Sequence, residues 1–186
     1  MYTTAFGGCW TANNFRPKYS MRPKNAFMMF YDNMGGGIRI DDFVAFCKEN
    51  NVALDFSQCT NAQNGLATLR TYHHGVLDFS KCTAMNNLFY SHNSHSPSIT
   101  TIDEWISTET TTYHASTFQH AINLTNLNVK GVIATGTFDV SYCPNLTHDS
   151  LMSIINHLKE GVTSKTVTLG STNLAKLSES EKAIAT

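Results

Sequence analysis

Eight histidines, five cysteines and a recurring aspartate are the residues in this sequence whose types invite chemistry. The histidines are His73, His74, His92, His95, His114, His120, His148 and His157. His73-His74 and His92-x-x-His95 are the close pairs. Neither stands in the helical H-E-x-x-H setting where two imidazoles share a zinc ion and a glutamate activates its water. They read as solvated loop or turn residues, and no metal is expected. The sequence has no G-x-S-x-G elbow, no P-loop and no Cys and His in a known catalytic arrangement. Gly35-Gly36-Gly37 lacks the Lys and Ser or Thr that follow a phosphate cradle, so it reads as a loop ahead of a helix. The expectation is a chain that is not an enzyme, with no catalytic residues and no cofactor.

The cysteines and aspartates belong to a repeat. Leu54-Asp55-Phe56-Ser57-Gln58-Cys59-Thr60 returns 23 residues later as Leu77-Asp78-Phe79-Ser80-Lys81-Cys82-Thr83, with one change in seven positions. Phe138-Asp139-Val140-Ser141-Tyr142-Cys143 keeps the same order of apolar, Asp, apolar, Ser, any residue, Cys. A period between about 20 and 29 residues with the core L-x-L-x-x-N/C marks a leucine-rich solenoid. In an extended segment Leu77 and Phe79 face a core while Asp78 and Ser80 face away. Cys59, Cys82 and Cys143 then fall in the turn, where a small, weakly polar side chain is easily buried. Their odd total with Cys9 and Cys47, and the absence of C-x-x-C spacing, argue against a disulfide framework or a zinc site.

Stacked repeats would bring Asp55 and Asp78 within about 5 Å on one sheet face, beside Ser57 and Ser80. Carboxylates that close repel unless they are hydrogen-bonded or bridged by a cation. One reading makes them satisfy neighbouring backbone. The sharper one makes Asp55, Ser57, Asp78 and Ser80, with nearby Tyr72, His73 and His74, part of a ligand face.

Other elements follow from pattern. Phe43, Val44, Phe46 and Cys47 share a helical face, which predicts an inserted helix near 41–50. Ile99 to Ile106 reads as a weaker rung, and Leu127 to Ile133 as a strand. Leu151, Ile154, Ile155 and Leu158 at helical spacing, with Thr147 as cap and Gly161 beyond, predict the best-specified helix. A strand over Thr166 to Leu169 and a Ser178-x-x-Glu181 capping box follow. The fold class expected is therefore an α/β repeat: a leucine-rich-repeat solenoid with irregular rungs, one inserted helix and a helical C-terminal cap. Its parts are the repeats of 1–145 and a capping repeat of 146–186. Asn123-Leu124-Thr125 and Asn145-Leu146-Thr147 match the N-glycosylation pattern and receive no functional weight.

Composition narrows the partners. A net charge of -1 and scattered Lys and Arg give no electrostatic footprint for nucleic acid. No apolar run is long enough to span a membrane. Only 15% of residues are charged, and Thr, Ser and Asn are abundant, which suits a β-rich, uncharged surface.

The strand and turn of the heptapeptides, with Phe30-Tyr31 and Phe89-Tyr90 placed before turn residues, resemble the BspA-like leucine-rich repeats of bacterial surface antigens. The segment Leu146 to Asn156, followed by Thr168 to Leu177, is similar to the closing segment of leucine-rich repeat proteins of gut bacteria and their phages. The resemblance implies a secreted, surface-displayed or virion-borne module, on the bacterial cell surface or a phage tail. It implies no catalytic residues. The function expected is recognition or adhesion, with a host or cell-surface protein or glycan as partner, and the chain a fragment of a longer protein or fibre. A structural spacer or oligomerisation domain is the alternative. A polysaccharide hydrolase would find carboxylates here, but no pair the sequence places. A binder should gather aromatics such as Tyr72, Tyr90, Trp105 and Tyr113 in one exposed patch.

Overall fold

The computed structural model describes residues 57, 59–63, 72–89, 99–162 and 165–185. The expected helix near 41–50 and the strand of the first heptapeptide lie outside the described residues, as do Asp55, Tyr90, His92 and His95.

Among the described residues every paired strand is parallel. Strands β1 (Tyr72–Asp78), β2 (Thr101–Ser107) and β4 (Asn126–Gly131) form one sheet in that order. Strand β3 (Thr112–Tyr113) pairs with β5 (Thr135–Gly136), and β6 (Phe138–Asp139) pairs with β7 (Val167–Thr168). Parallel neighbours cannot be joined by a tight turn, so the chain makes a circuit between them. The circuits are short. Thr83 donates its hydroxyl to the Thr60 carbonyl 23 residues back, and Thr125 does the same to Thr100 at 25. Single parallel bridges join Asn61 to Ala84 and Ile133 to Leu158. Ile99 to Ile106, expected as a weak rung, contains the central strand of the sheet.

The inward row is apolar. Leu77, Trp105 and Val129 are register partners and all are buried. Leu77 and Phe79 are buried while Asp78 and Ser80 are half-buried, the alternation expected of an extended motif. Aromatic rings run through the core: Phe79, Phe89 and Phe118 surround Trp105 at centroid distances of 5.2, 6.5 and 5.1 Å. Tyr113 meets Phe138 edge-on at 4.7 Å. Each fully buried ring contributes roughly 1.5–3 kcal/mol by leaving water, and ring pairing adds about 0.5–1.5 kcal/mol. The indole of Trp105 donates to the Tyr113 hydroxyl at 2.8 Å, which gives the buried N–H its acceptor inside the core.

Hydroxyls tie one circuit to the next. Thr108 and Thr111 donate to the Ser80 carbonyl at 2.6 and 3.1 Å, Ser107 to Val132 at 2.8 Å, and Thr135 to Glu109 at 2.7 Å. This is the structural use of a Thr- and Ser-rich, weakly charged chain. Two glycines permit the close approach: a Cβ at Gly131 or Gly136 would stand 2.0 Å from the carbonyl oxygen of Ser107 or Tyr113, and both have positive φ.

The C-terminal part is helical. Helix α1 (His148–Ile155) is capped by Thr147, whose hydroxyl accepts from the Ser150 amide, and it buries Leu151, Ile154 and Ile155. It ends at Ile155 rather than running toward Gly161. The physical reason is tertiary: Ile133 donates to the His157 carbonyl at 2.7 Å and accepts from Lys159 at 3.0 Å, so the chain leaves the helix to pair with Ile133. A short helix, α2 (Ser171–Leu174), was not legible in the sequence. Its buried Asn173 gives its amide group to the carbonyls of Val140, Cys143 and Leu169. Helix α3 (Glu179–Ile184) begins on the expected Ser178 and Glu181 capping box.

Helix α1 also closes an edge. The outer amides of β4 would be unpaired, yet Leu127 donates to the Ser150 hydroxyl and Val129 to the Ser153 hydroxyl, each at 2.9 Å. Side-chain hydroxyls thus stand where another strand's carbonyls would be. Among the described residues no helix is long and apolar enough to cross a membrane.

Candidate functional site

The repeated Asp and Ser have a local task. Asp78 accepts from the Ser80 amide at 2.9 Å, and Asp139 accepts from the Ser141 amide and hydroxyl at 2.9 and 2.7 Å. This is an Asx turn, which ends the strand. Two residues on, Cys82 donates its amide to the Phe79 carbonyl and Cys143 to the Val140 carbonyl, closing the turn. The thiols are buried against carbonyls: Cys59 donates to Asn61, Cys82 to Ala84 and Cys143 to Phe118. Burial, with the Asp139 carboxylate nearby, pushes the Cys143 thiol up to about 12.

Asp55 lies outside the described residues, and the other candidates stand at different places along the first strand and the turns. Ser57 lies in a turn and is half-buried. Tyr72, His73 and His74 open β1, while Asp78 and Ser80 stand at and beyond its end. Asp78 stands six steps along the strand from Tyr72, a reach of up to about 20 Å. His73 shares its register row with Ile102 and Leu127, both buried. Of the aromatics that a binder should expose, Trp105 and Tyr113 are buried in the ring stack, where the indole finds its acceptor in the Tyr113 hydroxyl. Desolvation pushes the Tyr113 phenol up to about 12.

The outer face of the sheet offers a different arrangement. Between two register rows, three residues separate His73 from Leu77 in β1, two separate Ile102 from Trp105 in β2, and one separates Leu127 from Val129 in β4. The extra residues make bulges, which re-aim side chains and bend strands. A groove of about 330 Å³ opens beside them, where the starts of β2 and β4 meet the first turns of α1. Thr101, Asp103, Asn126, Asn128, Thr147 and Asp149 supply its polar lining. Asn126 donates to the hydroxyls of Thr101 and Thr125, both at 3.3 Å, which fixes its amide at the groove's edge. Tyr72 is the register partner of Thr101, so one expected candidate does share the row that enters the groove.

None of the groove's lining residues belongs to the ligand set expected from sequence. A signal was present: Asn126-Leu127-Asn128-Val129-Lys130 alternates polar with apolar, which places Asn126 and Asn128 on the outer face. The position of α1 beside that face had no signal in the sequence. Among the described residues no group of His, Cys, Asp or Glu is arranged to hold a metal ion.

Comparison with models of protein families, with curated proteins and with solved structures found no match.

Proposed function

We propose that this chain is a non-catalytic recognition module, a leucine-rich-repeat solenoid of BspA-like type borne on a bacterial surface or a phage tail. It binds a cell-surface protein or glycan across its outer sheet face. The single observation that supports the reading most is the groove of about 330 Å³ with its Thr, Asn and Asp lining. That volume is within the ordinary range of ligand sites. Its carboxamides, hydroxyls and carboxylates pair with the hydroxyls and amides of a neutral polar ligand. The parallel pairing at offsets near 23 to 25 residues supports the repeat reading.

A spacer reading is favoured by one finding, the burial of Trp105 and Tyr113, which removes two aromatics from any exposed binding patch. A glycan array and an adhesion assay separate the two. Binding by the wild type that is lost in Asn128→Ala, with an unchanged melting temperature, supports recognition at the groove. Asn128 is exposed, so its truncation leaves the core intact. Full binding retained in Asn128→Ala and Thr101→Ala removes the groove from consideration, and no binding by the wild type to any surface component favours the spacer.

A further inference from the structure

The 23-residue repeat puts a cysteine at the same position of two successive circuits. The register is fixed just after that position. Thr83 donates its amide to the Thr60 carbonyl at 3.0 Å, Ala62 donates to the Ala84 carbonyl at 2.8 Å, and Asn61 bridges Ala84 in parallel. Cys59 and Cys82 stand one residue before the Thr60–Thr83 pair and two before the Asn61–Ala84 bridge, so the same 23-residue offset makes them register partners. In-register residues of parallel neighbours have Cα atoms about 4.8 Å apart, inside the roughly 4.4–6.8 Å range that a disulfide spans. Both side chains are fully buried in the same core cluster. We infer that Cys59 and Cys82 form a latent cross-link site between neighbouring circuits, converted to a disulfide by a small-molecule disulfide oxidant of the glutathione class.

The neighbouring Cys59 side chain, with burial, pushes the Cys82 thiol up. Exchange proceeds through the thiolate, so the folded state protects the reduced pair and oxidation is fastest while the chain is folding or locally open. The Cys59 thiolate displaces one thiolate from the oxidant and forms a mixed disulfide. The Cys82 thiolate then displaces the second from the Cys59 sulfur. Two electrons pass to the oxidant, and the two cysteine protons end on the two thiols released. The absence of C-x-x-C spacing does not bear on this pair, because the repeat period, not sequence proximity, brings the sulfurs together.

The test uses the full chain refolded in reduced and oxidised glutathione, alkylated under denaturing conditions and mapped after trypsin without reduction. Cleavage after Lys48, Arg70, Lys81 and Lys130 leaves Cys59 and Cys82 in separate peptides, each the only cysteine of its peptide. The expected result is a linked pair of these peptides, retained in Cys143→Ala and lost on reduction. The oxidised protein should also melt higher than the reduced protein, by roughly 5–10 °C for a loop of this length. Both cysteines recovered as alkylated thiols would overturn the inference. So would separate glutathione adducts on each, or a link from either one to Cys143.

Discussion

Replacing Ser150 by Ala tests whether α1 closes the edge of the sheet. The Ser150 hydroxyl accepts the Leu127 amide at 2.9 Å in a buried setting and donates to the Thr125 carbonyl at 3.2 Å. Alanine removes the acceptor and leaves the Leu127 amide buried without a partner, which costs about 1–3 kcal/mol. The Thr125 carbonyl keeps the Thr147 amide at 2.8 Å, so its loss is small. Alanine's better helix propensity returns about 0.5 kcal/mol. The net expectation is a loss of about 0.5–2.5 kcal/mol, roughly a 2- to 70-fold fall in the folding equilibrium constant. Urea denaturation followed by circular dichroism reads the loss, and amide exchange at Leu127 locates it. A change below about 0.5 kcal/mol with Leu127 still protected would refute the edge-closing account, since an orphaned buried amide cannot be that cheap.

Tyr113→Phe strands the Trp105 indole N–H in the core, and a loss of about 1–3 kcal/mol with a shifted tryptophan emission is expected. In the wild type the Tyr113 phenol titrates near 12 rather than 10. Because the folded value is raised, its contribution to stability is present below about pH 10 and is lost as pH rises through about 12, which absorbance titration and alkaline melting read together. Gly136→Ala should cost at least about 2 kcal/mol in a melting experiment, because a Cβ would strike the Tyr113 carbonyl. Gly161→Ala, with positive φ but open space around it, should cost only about 1–2 kcal/mol. Hydrogen bonds from the Ser178 amide and hydroxyl, then from His148, hold the Glu181 carboxyl below its ordinary value of 4.5. Its contribution is therefore present above that pH and lost as pH falls through the folded value. Helical signal from α3 should fall on acidification, and Glu181→Gln should remove that dependence.

Much of the local structure is legible in the sequence, because it rests on contacts a few residues apart. Thr147 caps α1 and Ser178 with Glu181 boxes α3, as their spacing requires. The alternation in Leu77-Asp78-Phe79-Ser80 gives the buried face, and the cysteine after it gives a buried turn. Even the duty of Asp78 and Asp139 is local, since each accepts an amide two residues on.

What the tertiary structure decided is set by partners distant in the chain. Leu158 has helical spacing from Ile154, yet Ile133, 25 residues earlier in sequence, takes its backbone out of the helix. Trp105 and Tyr113 are amphipathic rings that suit a surface as well as a core, and only their meeting in the ring stack buries them. The groove depends on α1 standing against the edge of β4, with its first turns near the starts of β2 and β4, which no spacing encodes. Periodicity determines which side of a segment is apolar and where turns fall, because those are energies of neighbours. Which segment lies beside which is decided by burial and pairing across whole circuits, and that sum exists only once the chain is folded.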